Sequence, residues 1–172
     1  MRIYIIINKS SIELDYRELS EKMWFKCYLN KKLEISHGGN TETLKENYRL
    51  TLKWDKWLND KRWNVLNTDL DSEYIYVAPI RDKHILYFET DHLDILTVDK
   101  RALYTMVCEL AKEVQGTISD DNEENWLTLE EFKEKHQEIL NLTFEEANEI
   151  SLKEVETMTP LDEPEENEVD YS

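Results

Sequence analysis

The sequence predicts an α+β fold: a largely antiparallel sheet with two or three helices packed on one face, and a disordered acidic C-terminal tail. Three observations predict it. Short β-branched or alternating runs occupy residues 2–98. A wide apolar stripe at helical spacing covers 100–115. Two capping-box spacings follow, Thr128 with Glu131 and Thr143 with Glu146. Strands come first and helices later, with hairpin-like neighbours, which is the α+β order.

Residues 2–7 read as a short, buried first strand. Residues 11–22 are ambiguous, since Ile12, Leu14, Tyr16 and Leu19 mix with acids. Residues 23–36 suggest a hairpin with Phe25, Cys27 and Leu29 on one face and Asn30-Lys31 near its turn. His37-Gly38-Gly39-Asn40 reads as a loop. From 47 to 54, Tyr48, Leu50, Leu52 and Trp54 alternate with Arg49, Thr51 and Lys53, the signature of a half-buried strand. Trp57, Leu58 and Trp63 belong to a short irregular or helical connection. Strands are expected at 73–78 and 84–89, with Pro79 closing the first, and another at 93–98.

In 100–115 the residues Ala102, Leu103, Met106, Val107, Leu110, Ala111 and Val114 form one stripe, with Asp99 as N-cap and Gly116 as the C′ residue. Ile118 suggests a brief strand. A second helix starts at Leu129, with Leu127 and Phe132 placed for a hydrophobic staple and His136 on its apolar face. A third runs from Phe144 to about Val155. Residues 1–158 are read as one domain and 159–172, with Pro160, Pro164 and many acids, as the disordered tail.

The negative charge is segregated. Residues 120–172 hold 19 acids against 3 Lys, a net of −16 out of the formal −17. A near-neutral body with an acidic last third points to a basic partner. Residues 3–7 are too short for a signal-peptide core, and no run approaches a membrane span. Two isolated thiols, Cys27 and Cys108, suggest a reduced, cytoplasmic protein rather than a 27–108 disulfide. Apolar neighbours and Glu109 raise the pKa of Cys108 rather than activate it.

No motif for catalysis stands out, so the chain is read as non-enzymatic. His37, His84, His92 and His136 lack the i, i+4 spacing of a helical zinc pair, and no Gly-rich phosphate loop or Ser elbow occurs. No cofactor or metal is expected. The segment 120–131 approaches the ligand spacing of a calcium loop, with Asp120, Asn122, Glu124 and Glu131, but Asn125 replaces the glycine its turn needs. A polar loop leading into a capped helix explains the same residues. The aromatic and basic residues of 54–63 are read as packing first and a protein-binding rim second, because a chain of charge −17 repels nucleic-acid phosphates.

Trp54-Asp-Lys-Trp-Leu, Glu73-Tyr-Ile-Tyr-Val-Ala-Pro-Ile, and Leu103 with Leu110 leading into Gly116–Phe132 resemble small immunity proteins of bacterial polymorphic toxin systems, over residues 45–145. The resemblance implies a cytosolic, acidic, single-domain inhibitor that binds a cognate toxin and blocks its active site or substrate surface. It carries over no site residues. The expected contact surface is 120–138, where Asp120, Asp121, Glu123, Glu124, Glu130, Glu131, Glu134 and Glu138 surround Trp126 as a charged rim around one anchor. The partner is then a toxin or other basic protein, not nucleic acid or membrane. Alternative readings are an acidic adaptor, calcium-responsive through 120–131, and a nucleic-acid mimic, which needs acids at regular spacing on a rigid surface.

Overall fold

The computed structural model describes residues 1–24, 34–66 and 68–158. The expected tail at 159–172 and most of the expected hairpin, 25–33, lie outside these residues. The fold is α+β. Strands β1 (Arg2–Ile6), β2 (Ser36–Gly38), β3 (Leu50–Asp55), β4 (Ser72–Ile80), β5 (Ile85–Thr90) and β6 (Ile118–Ser119) form one sheet in the order β2-β3-β4-β5-β1-β6. Every pairing is antiparallel. The helices are α1 (Tyr16–Met23), α2 (Thr41–Asn47), α3 (Thr97–Val114), α4 (Leu129–Lys135), α5 (Gln137–Leu140) and α6 (Phe144–Glu154).

The period-two pattern sets the two faces of the sheet. Ile3, Ile5, Leu50, Leu52, Trp54, Ile75, Val77, Leu86 and Phe88 point to one side and are buried. They share one core cluster with Leu19 and Met23 of α1, the α3 stripe, Phe132 of α4, and Phe144 and Ala147 of α6. Helix α3 is the hub, packing against α1, α4, α5 and α6. No helix among the described residues is long and apolar enough to cross a membrane.

Several expectations are corrected. Within the ambiguous segment 11–22 a helix starts only at Tyr16, where Asp15 caps it, accepting from the backbone N–H of Arg17 at 2.8 Å and Glu18 at 3.3 Å. Helix α1 continues to Met23, so no hairpin strand starts there. The expected loop at 37–40 holds most of β2 and the N-cap of α2, where Asn40 Oδ1 accepts from the Thr43 N–H at 2.9 Å. Pro79 lies inside β4, opposite Leu86, rather than ending it. No strand forms at 93–98, and α3 begins there instead, at Thr97.

The ends of α3 also differ. Asp99 is not its cap: the first turn is satisfied from α6, where Glu154 Oε2 accepts from the Thr97 N–H at 2.8 Å and Ser151 Oγ from the Val98 N–H at 2.9 Å. At the other end Gln115 is the left-handed residue, with φ 51°. Gly116 is required for a different reason. A Cβ there would lie 2.2 Å from the Ile6 carbonyl oxygen, so only glycine lets the helix exit pass β1 so closely. The second helix starts as read, with both halves of its capping box formed, but is interrupted at His136 between α4 and α5.

Candidate partner-binding surface

The acidic segment begins where the chain leaves β6. Asn122 and Glu123 have φ of 57° and 69°, and a hydrogen-bonded turn holds them there. Ser119 Oγ accepts from the Glu123 N–H at 3.0 Å and donates to Asp121 Oδ1 at 2.7 Å. Asp121 also accepts from the Asn125 backbone at 3.0 Å and side chain at 2.7 Å. These bonds, led by that of the Asn125 side chain, hold the Asp121 carboxyl down to about 2.

The neighbouring acids are similarly engaged. Asp120 meets Lys135 at 2.8 Å and His136 Nε2 at 2.7 Å. Burial alone raises its pKa, but these two hydrogen bonds outweigh burial and hold it below the ordinary carboxylate range. Glu123 forms a two-bond pair with Arg81 at the β4–β5 turn. Glu131 is used in the cap of α4, accepting from the Thr128 N–H at 2.8 Å. Asp120 therefore faces Lys135 and His136, and Glu131 faces the backbone, which leaves two of the four calcium-type positions turned to other work. Among the described residues no group of three His, Cys, Asp or Glu side chains is placed to hold a metal ion.

Trp126 is half-buried, and Leu127 beside it bridges to Ile118. Among the described residues no hydrogen bond or ring contact joins the Trp126 indole to the acids of 120–138. The structure thus separates the expected site into two parts. Asp120, Asp121, Glu123 and Glu131 organise the loop and helix start, whereas Glu124, Glu130, Glu134 and Glu138 are exposed. Of the latter, only Glu130 has an ion pair among the described residues, to Lys133 at 3.3 Å.

Glu130 and Glu134 line a groove of about 540 Å3 between α3 and the α4–α5 segment. Glu109 lines it from α3, and Cys108 and Leu140 supply apolar surface. Burial pushes the Cys108 thiol up to about 12, so the sulfur acts as packing rather than as a nucleophile. The break at His136 helps shape this groove: its ring stacks 4.2 Å from Tyr104 and 4.6 Å from Phe132, turning the chain back onto α3.

A second charged cluster was not apparent from the sequence. Lys56 Nζ lies 2.9 Å from Asp99 Oδ2 and 5.6 Å from the centre of the Trp63 ring. The Lys56–Asp99 contact is an ion pair by distance, off the hydrogen-bonding direction. Nearby, Glu73 Oε2 meets His92 Nδ1 at 2.7 Å, and Glu73 Oε1 accepts from the Asp91 N–H at 2.7 Å. The side chains of Lys56 and Asp99 are 0% and 3% exposed, those of His92 and Glu73 7% and 2%. Burial, then mutual repulsion, raises the Glu73 pKa; burial likewise raises that of Asp99 against the pull of Lys56. With so little surface, this cluster ties the 3-10 turn Lys56–Leu58 to α3 and β4 to the 91–92 segment that precedes α3, rather than facing a ligand.

The tryptophans divide accordingly. Trp24, Trp54 and Trp63 are core residues, and the Trp63 indole donates to Asn148 at 2.9 Å, whereas Trp57 is 40% exposed. Comparisons of the chain with protein-family models, curated proteins and solved structures found no match.

Proposed function

We propose that this chain is a non-enzymatic binding protein that neutralises a basic protein, a cognate toxin, by direct contact in the bacterial cytoplasm. The observation that carries the reading is the acidic groove between α3 and α4–α5. Glu109, Glu130 and Glu134 border apolar surface from Cys108 and Leu140; Lys22 pairs with Glu109 at 2.8 Å and Lys133 with Glu130 at 3.3 Å, which leaves Glu134 without an ion pair among the described residues. A small apolar patch inside a polar and charged rim suits a protein interface. Its sign suits a basic side chain or helix, and the acidic C-terminal third adds long-range attraction that accelerates encounter. The family resemblance of residues 45–145 supplies the toxin as the kind of partner.

The test is binding to the protein encoded by the neighbouring gene, measured at low and high salt. Glu130→Lys and Glu134→Lys should slow association most at low salt, where screening is weakest. Tight binding indifferent to both reversals and to salt would move the interface elsewhere. Absence of binding would remove the toxin-neutralising reading.

A further inference from the structure

The groove between α3 and α4–α5 has a bias in hydrogen bonding that its charge alone does not describe. Glu130, Glu134, Gln137 and Asn141 line it from the α4–α5 side. Their spacing is i, i+4, i+7 and i+11, one row along the helical path. The break at His136 does not take Gln137 or Asn141 out of that row. Thr105 and Glu109, one turn apart on α3, line the opposite side. The Thr105 hydroxyl donates to the Arg101 carbonyl oxygen at 2.8 Å, so its remaining capacity is to accept. Among the described residues no hydrogen bond engages the carboxamides of Gln137 and Asn141.

The ion pairs leave acceptors over. Glu109 takes one bond from Lys22 at 2.8 Å and Glu130 one from Lys133 at 3.3 Å, while Glu134 takes none among the described residues. A carboxylate offers about four lone-pair sites, so all three keep open positions. Against them the groove holds few donors, the ammonium of Lys133 and the two carboxamides. Cys108 and Leu140 form the apolar patch, and the Cys108 thiol keeps its proton there.

We propose that this groove recognises an arginine side chain presented by the basic partner, in preference to lysine. The inference rests on the binding reading above and names the group that the partner inserts. An acceptor-rich site calls for a donor-rich ligand. Guanidinium carries five N–H donors and no acceptor, in a planar fork that bonds a carboxylate through two parallel contacts. Ammonium carries three donors on one compact, strongly hydrated head. The acceptors come from two sides of the groove, and packed helix axes lie about 8–10 Å apart. A wide, flat head reaches both sides, where a point charge serves one. The aliphatic stem and the face of the guanidinium suit Cys108 and Leu140. Glu134, which has no cation of its own among the described residues, is the carboxylate that gains most. A bare metal ion suits the site less, since among the described residues no three His, Cys, Asp or Glu side chains are placed to hold one.

An NMR titration of the isotope-labelled full chain with N-acetyl-arginine amide tests it, with the lysine analogue as control at the same ionic strength. For a ligand of this size a dissociation constant on the order of 1 mM is expected. The side-chain amide signals of Gln137 and Asn141 and the backbone signals of Thr105, Glu109 and Glu134 should shift saturably. Arginine should bind at least about fivefold tighter than lysine. Glu134→Gln, at an exposed position, should weaken arginine at least about fivefold, because an ionised acceptor makes the stronger bond. Absence of a saturable shift in the groove overturns the inference. So does equal binding of lysine, arginine binding indifferent to Glu134→Gln, or a shift confined to acids outside the groove. The binding reading fails separately. If the neighbouring gene's product binds and responds to Glu130→Lys and Glu134→Lys while the groove shows no preference for arginine, that reading stands and this inference falls. If the groove selects arginine and that product does not bind, the arginine site stands and the toxin-neutralising reading falls.

Discussion

The loop at 119–125 and the buried cluster around Lys56 use carboxylates in opposite ways. In the loop, Asp121 is reached by water and gathers hydrogen bonds from Asn125 and Ser119, so its charged form is favoured. In the cluster, Glu73 and Asp99 are removed from water, and burial raises both despite His92 and Lys56 beside them. The difference teaches that formal charge says little about what an acid does. Hydrogen-bond donors without desolvation produce a stable surface anion, while desolvation produces a group that depends on its partner.

Removing that partner should have the largest effect. Lys56→Ala leaves Asp99 buried without its cation and should cost about 3–5 kcal/mol in a urea melt. Adding Asp99→Leu to Lys56→Met should recover much of the loss, because a packed apolar pair replaces the ion pair. A Lys56→Ala protein as stable as the original would mean that the cluster is solvated and the contrast false.

The loop side should be weaker. Thr128→Ala removes the side-chain cap on the Glu131 N–H and should cost about 1 kcal/mol in the same melt. A loss matching that of Lys56→Ala would place the start of α4 among the main supports of the fold.

The smallest effect is a change of slope with pH. The folded Asp121 pKa, about 2, lies below its ordinary 3.8. Its contribution is present above pH 3.8 and is lost as pH falls toward 2, because the unfolded chain takes up the proton first. Glu73 has the opposite sign. Its folded pKa lies above 4.5, so stability falls as pH rises from 4.5 toward that raised value. Asp121→Asn should flatten the acid limb of a stability-versus-pH curve, and Glu73→Gln should alter the limb above pH 4.5. Identical changes from both variants would erase the distinction between the two regions.

Much of the fold was legible because the signals were local. Alternation at 47–54 located β3, the apolar stripe located α3, and the capping boxes at Thr128 and Thr143 set the starts of α4 and α6 within one residue. The misreadings came from partners distant in sequence. Asp99 looked like a cap, but Glu154 and Ser151 of α6 serve the first turn of α3 and Asp99 turns to Lys56. The acidic site was legible in composition only. The capping-box spacing gave the role of Glu131, but spacing along 120–138 could not show that Asp120, Asp121 and Glu123 also spend their oxygens on the protein itself.

The sequence by itself determined the α+β class, the segregation of charge, and the helices whose stripes and caps are encoded within a few residues. Those features rest on periodicity and on hydrogen bonds between near neighbours, which a linear reading captures. The tertiary structure alone decided which of the described acids remain exposed, which ions are buried together, and which side of the sheet the helices cover. Each of those depends on strand order and helix packing, which join Lys56 to Asp99, Glu73 to His92 and Tyr4 to Tyr87 across long stretches of chain. Burial, which sets the behaviour of these groups, exists only once such segments have met.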